Sequence, residues 1–157
     1  MNLILDNSII IKWYLQFPTE EYIDIALKLK HLYDIGEINL HSPAILNYEI
    51  GNVFSTAVKS KKLDINIAKE NLNLFNNYGI IFYDLKEIYS DILDISVRYN
   101  LSFYDSSYVT LSQFLKCWFI TADKRLFNNI KNEITYVKYI SDFKIPIHPP
   151  RLRTLIF

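Results

Sequence analysis

Five short apolar or β-rich runs, Leu3 to Leu5, Ile38 to His41, Ile80 to Tyr83, Cys117 to Thr121 and Thr135 to Ile140, are separated by stretches with helical periodicity. That alternation constrains the fold more than any other feature. Strands joined through helices of one to two dozen residues pair in parallel, and a parallel sheet needs cover on both faces. The expected class is α/β, an α/β/α sandwich with a central, mostly parallel sheet. Leu3-Ile4-Leu5 carries no polar alternation and reads as a strand buried on both sides. Helical stripes recur at Tyr22, Ile25, Ala26, Leu29, Leu32 and Tyr33, at Ile45, Val53, Phe54 and Ala57, at Leu85, Ile88, Ile92, Ile95 and Tyr99, and at Tyr104, Tyr108, Leu111 and Leu115. Ser42-Pro43 is expected to open a helix, Asp64 to cap one running to about Phe75, and Asp84-Leu85-Lys86-Glu87 to form a capping box.

A chain of 157 residues has the length of one domain with a substantial core. Residues 1–140 are expected to form that domain. Residues 141–157, with Pro146, Pro149, Pro150, Arg151 and Arg153, read as a C-terminal extension outside the core. The longest apolar runs fall far below the roughly 18 to 20 residues that span a bilayer, and the N-terminus lacks the marks of a secretory signal. The expectation is a cytoplasmic protein with no membrane partner.

Composition removes whole classes of chemistry. Cys117 is the only cysteine, which excludes internal disulfides, cysteine-held iron–sulfur clusters and zinc CxxC pairs. Three glycines, Gly36, Gly51 and Gly79, cannot write a dinucleotide or P-loop phosphate motif. With 17 basic and 17 acidic residues the net charge is zero, so a polyanion needs a local basic patch or a bound cation.

The informative charges are acids at element boundaries. Ligands bind open parallel sheets beyond the carboxyl ends of the strands. Asp6 follows the first strand directly, and Asp123 sits just past the fourth. Each is equally a natural N-cap for the helix that follows. Glu49 lies on the stripe of Ile45 and Val53, where an unpaired carboxylate requires a cation, a proton or a basic partner. Asn52 points the same way. Asp105 begins its helix in Ser102-Phe103-Tyr104-Asp105, and a capping role competes there with a chemical one. The four acids meet if the strand order places the first and fourth strands side by side.

In this order the residues resemble the PIN-domain nucleases, and within them the VapC-type toxins. Leu3-Ile4-Leu5-Asp6-Asn7-Ser8 with Lys12-Trp13 looks like the family's first block. Pro43, Glu49, Asn52 and Val53 resemble its glutamate helix, and Tyr104-Asp105-Ser106-Ser107-Tyr108 its third block. Ile120-Thr121-Ala122-Asp123-Lys124-Arg125-Leu126 is the most specific match. Asn7 and Ser106 replace residues that are often Thr or Ala, and neither change removes a carboxylate.

The resemblance implies a metal-dependent endoribonuclease, the toxin of a type II toxin–antitoxin pair. It implies Mg²⁺ or Mn²⁺ held by Asp6, Glu49, Asp105 and Asp123, with Ser8, Asn52 and Thr121 supporting them. Hard oxygen ligands suit those cations, whereas His31, His41 and His148 show no ligand spacing. Lys12, Lys124 and Arg125 stand beside the acid blocks as candidate RNA contacts, with Lys59, Lys61 and Lys62 as a second basic cluster. Trp13 and Tyr14 suit either base stacking or the core. RNA, a cognate antitoxin and a second copy of the chain are the implied partners, with the Tyr22 to Tyr33 stripe and Leu155-Ile156-Phe157 as contact surfaces. Alternatives are a housekeeping PIN nuclease and a non-catalytic PIN module. A phosphoaspartate receiver or haloacid-dehalogenase-type phosphatase wants a second acid near the first strand, where this chain has Asp6-Asn7-Ser8.

Overall fold

The computed structural model describes residues 1–16 and 20–144. Five strands, β1 (Asn2–Leu5), β2 (Asn39–Pro43), β3 (Ile81–Tyr83), β4 (Trp118–Thr121) and β5 (Val137–Tyr139), form one sheet in the order β3-β2-β1-β4-β5. Every pairing among them is parallel. Among the described residues seven α-helices connect them: α1 (Asn7–Ile10), α2 (Ile23–Asp34), α3 (Leu46–Lys59), α4 (Ile65–Asn76), α5 (Tyr89–Tyr99), α6 (Phe103–Leu115) and α7 (Lys124–Ile130). The expected α/β sandwich is therefore the observed one, and its sheet is wholly parallel among the described residues.

The chain steps from β1 out to β3, crosses back over β2 and β1 to β4, and ends at β5. Right-handed crossovers place α1 to α4 on one face and α5 to α7 on the other. The direction of travel reverses between β1 and β4, so a crevice opens at their carboxyl ends. Leu5 pairs with Ile120, which brings Asp6 level with Thr121. The central strand is sealed from both sides: Leu3, Ile4 and Leu5 are each at most 1% exposed. At about 1.5–3 kcal/mol per fully buried aliphatic side chain, this strand anchors the core.

Helix faces follow their sequence stripes in part: Ile45 and Val53 are only half-buried, and Tyr104 is exposed. Leu46, Ile50, Phe54 and Ala57 are the buried side of α3. Helix α6 is unusual in burying Ser106, Ser107, Thr110 and Ser112 along with Tyr108, Val109 and Leu111. Their small side chains let the helix lie close to the sheet and to α5. Each hydroxyl donates to a carbonyl three or four residues back in the chain, at 2.6–2.8 Å, so none is buried unpaired.

Two expected helix starts are displaced. Ser42 and Pro43 end β2, pairing with Phe82 and Tyr83, and α3 begins only at Leu46. Proline is tolerated there because the strand's last residue has no further ladder bond to give. Asp84 accepts from the Lys86 backbone at 3.1 Å, but the expected capping box does not form: Leu85 is the N-cap of a single 3-10 turn, Lys86–Ile88, ahead of α5. Asp64 caps α4 as expected, accepting from Asn66 at 2.7 Å. The last strand ends at Tyr139 and a 3-10 turn covers Ile140–Asp142. Most of the extension expected over 141–157, with His148 and Leu155 to Phe157, lies outside the described residues. No helix among the described residues is long and apolar enough to cross a membrane.

Candidate active site

All four candidate acids stand at the carboxyl edge of the sheet, each at a helix N-terminus. Asp6 precedes α1, Glu49 lies in the first turn of α3, Asp105 in the first turn of α6, and Asp123 precedes α7. Backbone N–H groups and the positive ends of the helix dipoles gather there, which partly offsets the negative charge.

The capping alternatives separate cleanly. Asp6 occupies the N-cap position of α1 with extended backbone but makes no side-chain cap bond. Its carboxylate turns instead toward β4. Ser8 Oγ donates to Asp6 Oδ1, and Thr121 Oγ1 donates to Asp6 Oδ2 at 2.6 Å. The same two hydroxyls accept from the backbone of Ala122 and Asp123, each at 2.9 Å. Asp6 is thus stitched to the end of β4 through Ser8 and Thr121. Each carboxylate oxygen keeps a lone pair for another ligand. Asp123 does cap α7, with Oδ1 accepting from Leu126 at 2.9 Å. Its second oxygen is not used by the cap. Ser102 caps α6 by accepting from the Asp105 backbone at 2.9 Å, so the Asp105 carboxylate is spared that task. It faces Arg125 across 3.7 Å.

Glu49 has a partner that the helical stripe conceals. Tyr108, 1% exposed and stacked on Phe119 at 5.6 Å, donates its hydroxyl to Glu49 Oε2. In the sequence Tyr108 reads as one more apolar position of α6. Its place four residues after Tyr104 and three after Asp105 was the available signal that it shares a face with the acids.

The carboxylates feel one another. Burial pushes Asp6 up to about 7 against the opposing pull of the Ser8 and Thr121 hydroxyls, and the charges of Glu49 and Asp123 push the same way. Burial also raises Glu49, with the Tyr108 bond opposing and Asp105 adding to the rise. Burial and the neighbouring Glu49 hold the Tyr108 phenol well above its ordinary value, so it stays a neutral donor.

The other candidates scatter. Asn52 is exposed on α3. Lys12 is buried and pairs with Glu20 at 3.4 Å. Lys124 and Arg125 are exposed in the first turn of α7, beside Asp123. Trp13 is buried, with Nε1 donating to the Ala26 carbonyl at 2.9 Å, and Tyr14 packs on Phe54, Phe75 and Tyr78, so both rings belong to the core. His41 is buried against Tyr83 and His31 lies on α2, both away from the acids.

Among the described residues no three Asp, Glu, His or Cys side chains already close on a common point at coordination distance. The donor set nevertheless fits a hard cation. It is all carboxylate, drawn from four elements to one edge; burial is the main cause that raises Asp6 and Glu49, the neighbouring carboxylates add to it, and a divalent ion would offset both.

Comparison with known proteins agrees with this geometry. The PIN domain family matches residues 3–133. A VapC ribonuclease of Mycobacterium bovis and ribonuclease VapC9 of Mycobacterium tuberculosis are each 31% identical over 92 residues, covering 59% of this chain and 71% of the relative. The crystal structure of PAE2754 from Pyrobaculum aerophilum superposes with a TM-score of 0.63 at 17% identity, over 90% of this chain and 93% of that one, and shares the fold. With this architecture, and with the family match over most of its length, the chain belongs to the PIN-domain family, in its VapC-type group.

Proposed function

We propose that the protein is a divalent-cation-dependent endoribonuclease that hydrolyses RNA phosphodiester bonds and acts as the toxin of a type II toxin–antitoxin pair. The observation that carries this reading is the gathering of Asp6, Glu49, Asp105 and Asp123 from four separate elements at the β1–β4 crevice. The relatives named as VapC ribonucleases support RNA as the substrate and an antitoxin as the partner.

Asp6 and Asp123 are the primary ligands in this reading, with Glu49 and Asp105 completing the set. A bound Mg²⁺ or Mn²⁺ supplies a water of lowered pKa and neutralises charge on the phosphoryl transition state. The protein's part is positioning. Ser8 and Thr121 fix the Asp6 carboxylate, and Tyr108 fixes Glu49. Lys124 and Arg125, exposed at the start of α7, attract phosphate to an edge otherwise crowded with negative charge.

A homodimer working in the cytoplasm completes the reading. Leu93 and Val97 on α5 and Phe114 on α6 are 54%, 75% and 67% exposed, an apolar surface available to a second copy or to the antitoxin.

The test is incubation of a labelled structured RNA pool with Mg²⁺, Mn²⁺ or EDTA, using wild type, Asp6→Asn and Asp123→Asn. Cutting is expected only with a divalent cation and only by wild type. Equal products from wild type and both variants would refute the assignment.

A further inference from the structure

An apolar cleft opens beside the acids and is used by none of the groups above. It is lined by Ala44 and Ile45 ahead of α3, Leu85 and Tyr89 at the start of α5, and Phe103 and Tyr104 at the start of α6, with a volume of about 130 Å³. Its place relative to the site follows from helix geometry. Ile45 lies four residues before Glu49, and Tyr104 four before Tyr108, the pair joined by the hydroxyl–carboxylate bond. The cleft therefore sits one helical turn, about 5.4 Å along each axis, from the Glu49–Tyr108 contact. Tyr104 and Ser107 on its wall flank Asp105 in sequence.

We propose that this cleft receives one unpaired nucleobase of the RNA, next to the phosphodiester that is cut, stacked on the ring of Tyr104. The inference rests on the ribonuclease reading and adds a requirement for a splayed, single-stranded base. Three observations favour a base. The volume is well under the roughly 300 Å³ of a small-molecule pocket, enough for one flat ring and little more. The mouth is aromatic: Tyr104 and Tyr89 are 58% and 52% exposed, and Phe103 holds Tyr89 edge-on at 5.3 Å. Stacking on aromatic side chains is a general way in which proteins hold unpaired bases. The cleft also adjoins the carboxylates, and a nucleotide next to a phosphate held there has to lie within one residue of it.

The test is a cycle between protein and RNA. Cut sites are first mapped on the labelled pool, and a short RNA spanning one site is made intact and with an abasic residue on either side of the cut. Tyr104→Ala, at an exposed position, should keep the wild-type melting temperature and lose about tenfold in kcat/KM on intact RNA, mostly through KM. Tyr104→Phe and Tyr104→Trp should retain wild-type values. One of the abasic RNAs should lose a similar factor with wild type and almost nothing further with Tyr104→Ala. Two losses that multiply independently, or an unchanged kcat/KM in Tyr104→Ala, would overturn the proposal while leaving the nuclease intact. Tyr104→Ala that cuts RNA normally but no longer binds a co-expressed inhibitory polypeptide would assign the cleft to a protein partner and overturn it as well. Cutting that persists in Asp6→Asn would instead bring down the ribonuclease reading, and this inference with it.

Discussion

Asp6 is the residue where structure and chemistry are most tightly coupled. Burial pushes its pKa up to about 7, above the ordinary carboxylate value of 3.8, so folding favours its protonated form. The stability it contributes is fully present below about pH 4 and is lost as pH rises through about 7. Metal-free protein should therefore melt at a lower temperature at pH 8 than at pH 5. Adding Mn²⁺ should restore more at pH 8 than at pH 5, and Asp6→Asn should flatten both dependences; thermal melts across pH check all three. Tyr108→Phe keeps the ring on Phe119 and removes only the hydroxyl that Glu49 accepts. It should cost about 1 kcal/mol in stability and weaken Mn²⁺ binding about tenfold, read by denaturation and by calorimetry. Asp6 and Asp123 were legible as boundary acids, yet their division of labour was not. Both look like N-caps in sequence, and only the side-chain bonds reveal that Asp123 caps while Asp6 does not. The role of the Tyr108 hydroxyl is not legible in sequence, because a tyrosine on an apolar stripe satisfies the core with its ring and hides the use of its hydroxyl.

At the scale of elements, strands and helices were readable because their periods differ and the β1 run has no polar alternation at all. Boundaries slipped where one dipeptide serves two grammars. Ser42-Pro43 has the chemistry of a helix start, but strand pairing with β3 carries β2 through it. The capping box expected at Asp84 does not form: Asp84 accepts from Lys86 ahead of a 3-10 turn that the stripe from Leu85 does not distinguish from α-helix. Asp64 and Asp123 provide a matched pair of caps, one remote from the crevice and one in it. Asp64→Ala should cost about 1 kcal/mol of stability and leave RNA cleavage unchanged. Asp123→Ala should cost a similar amount and abolish cleavage; chemical denaturation and the RNA assay on both variants separate the two roles.

For the molecule as a whole, the strand order was what sequence could not supply. Four acids spread from residue 6 to residue 123 form a site only if β4 lies beside β1, and that depends on long-range pairing such as Leu5 with Ile120. Once that pairing exists, parallel strands and helix N-termini deliver all four to one edge with no further design. The zero net charge of the chain then makes sense: the field that matters is local, four acids at the crevice with Lys124 and Arg125 at its rim. The central claim is that these four carboxylates act as one cation site. Calorimetric titration of Mn²⁺ into metal-free wild type and into Asp6→Asn, Glu49→Gln, Asp105→Asn and Asp123→Asn tests it directly. Saturable binding by wild type, weakened about tenfold or more in each variant with folding retained, is the expected result. Absence of binding to wild type, or affinities unchanged by the substitutions, would contradict the claim.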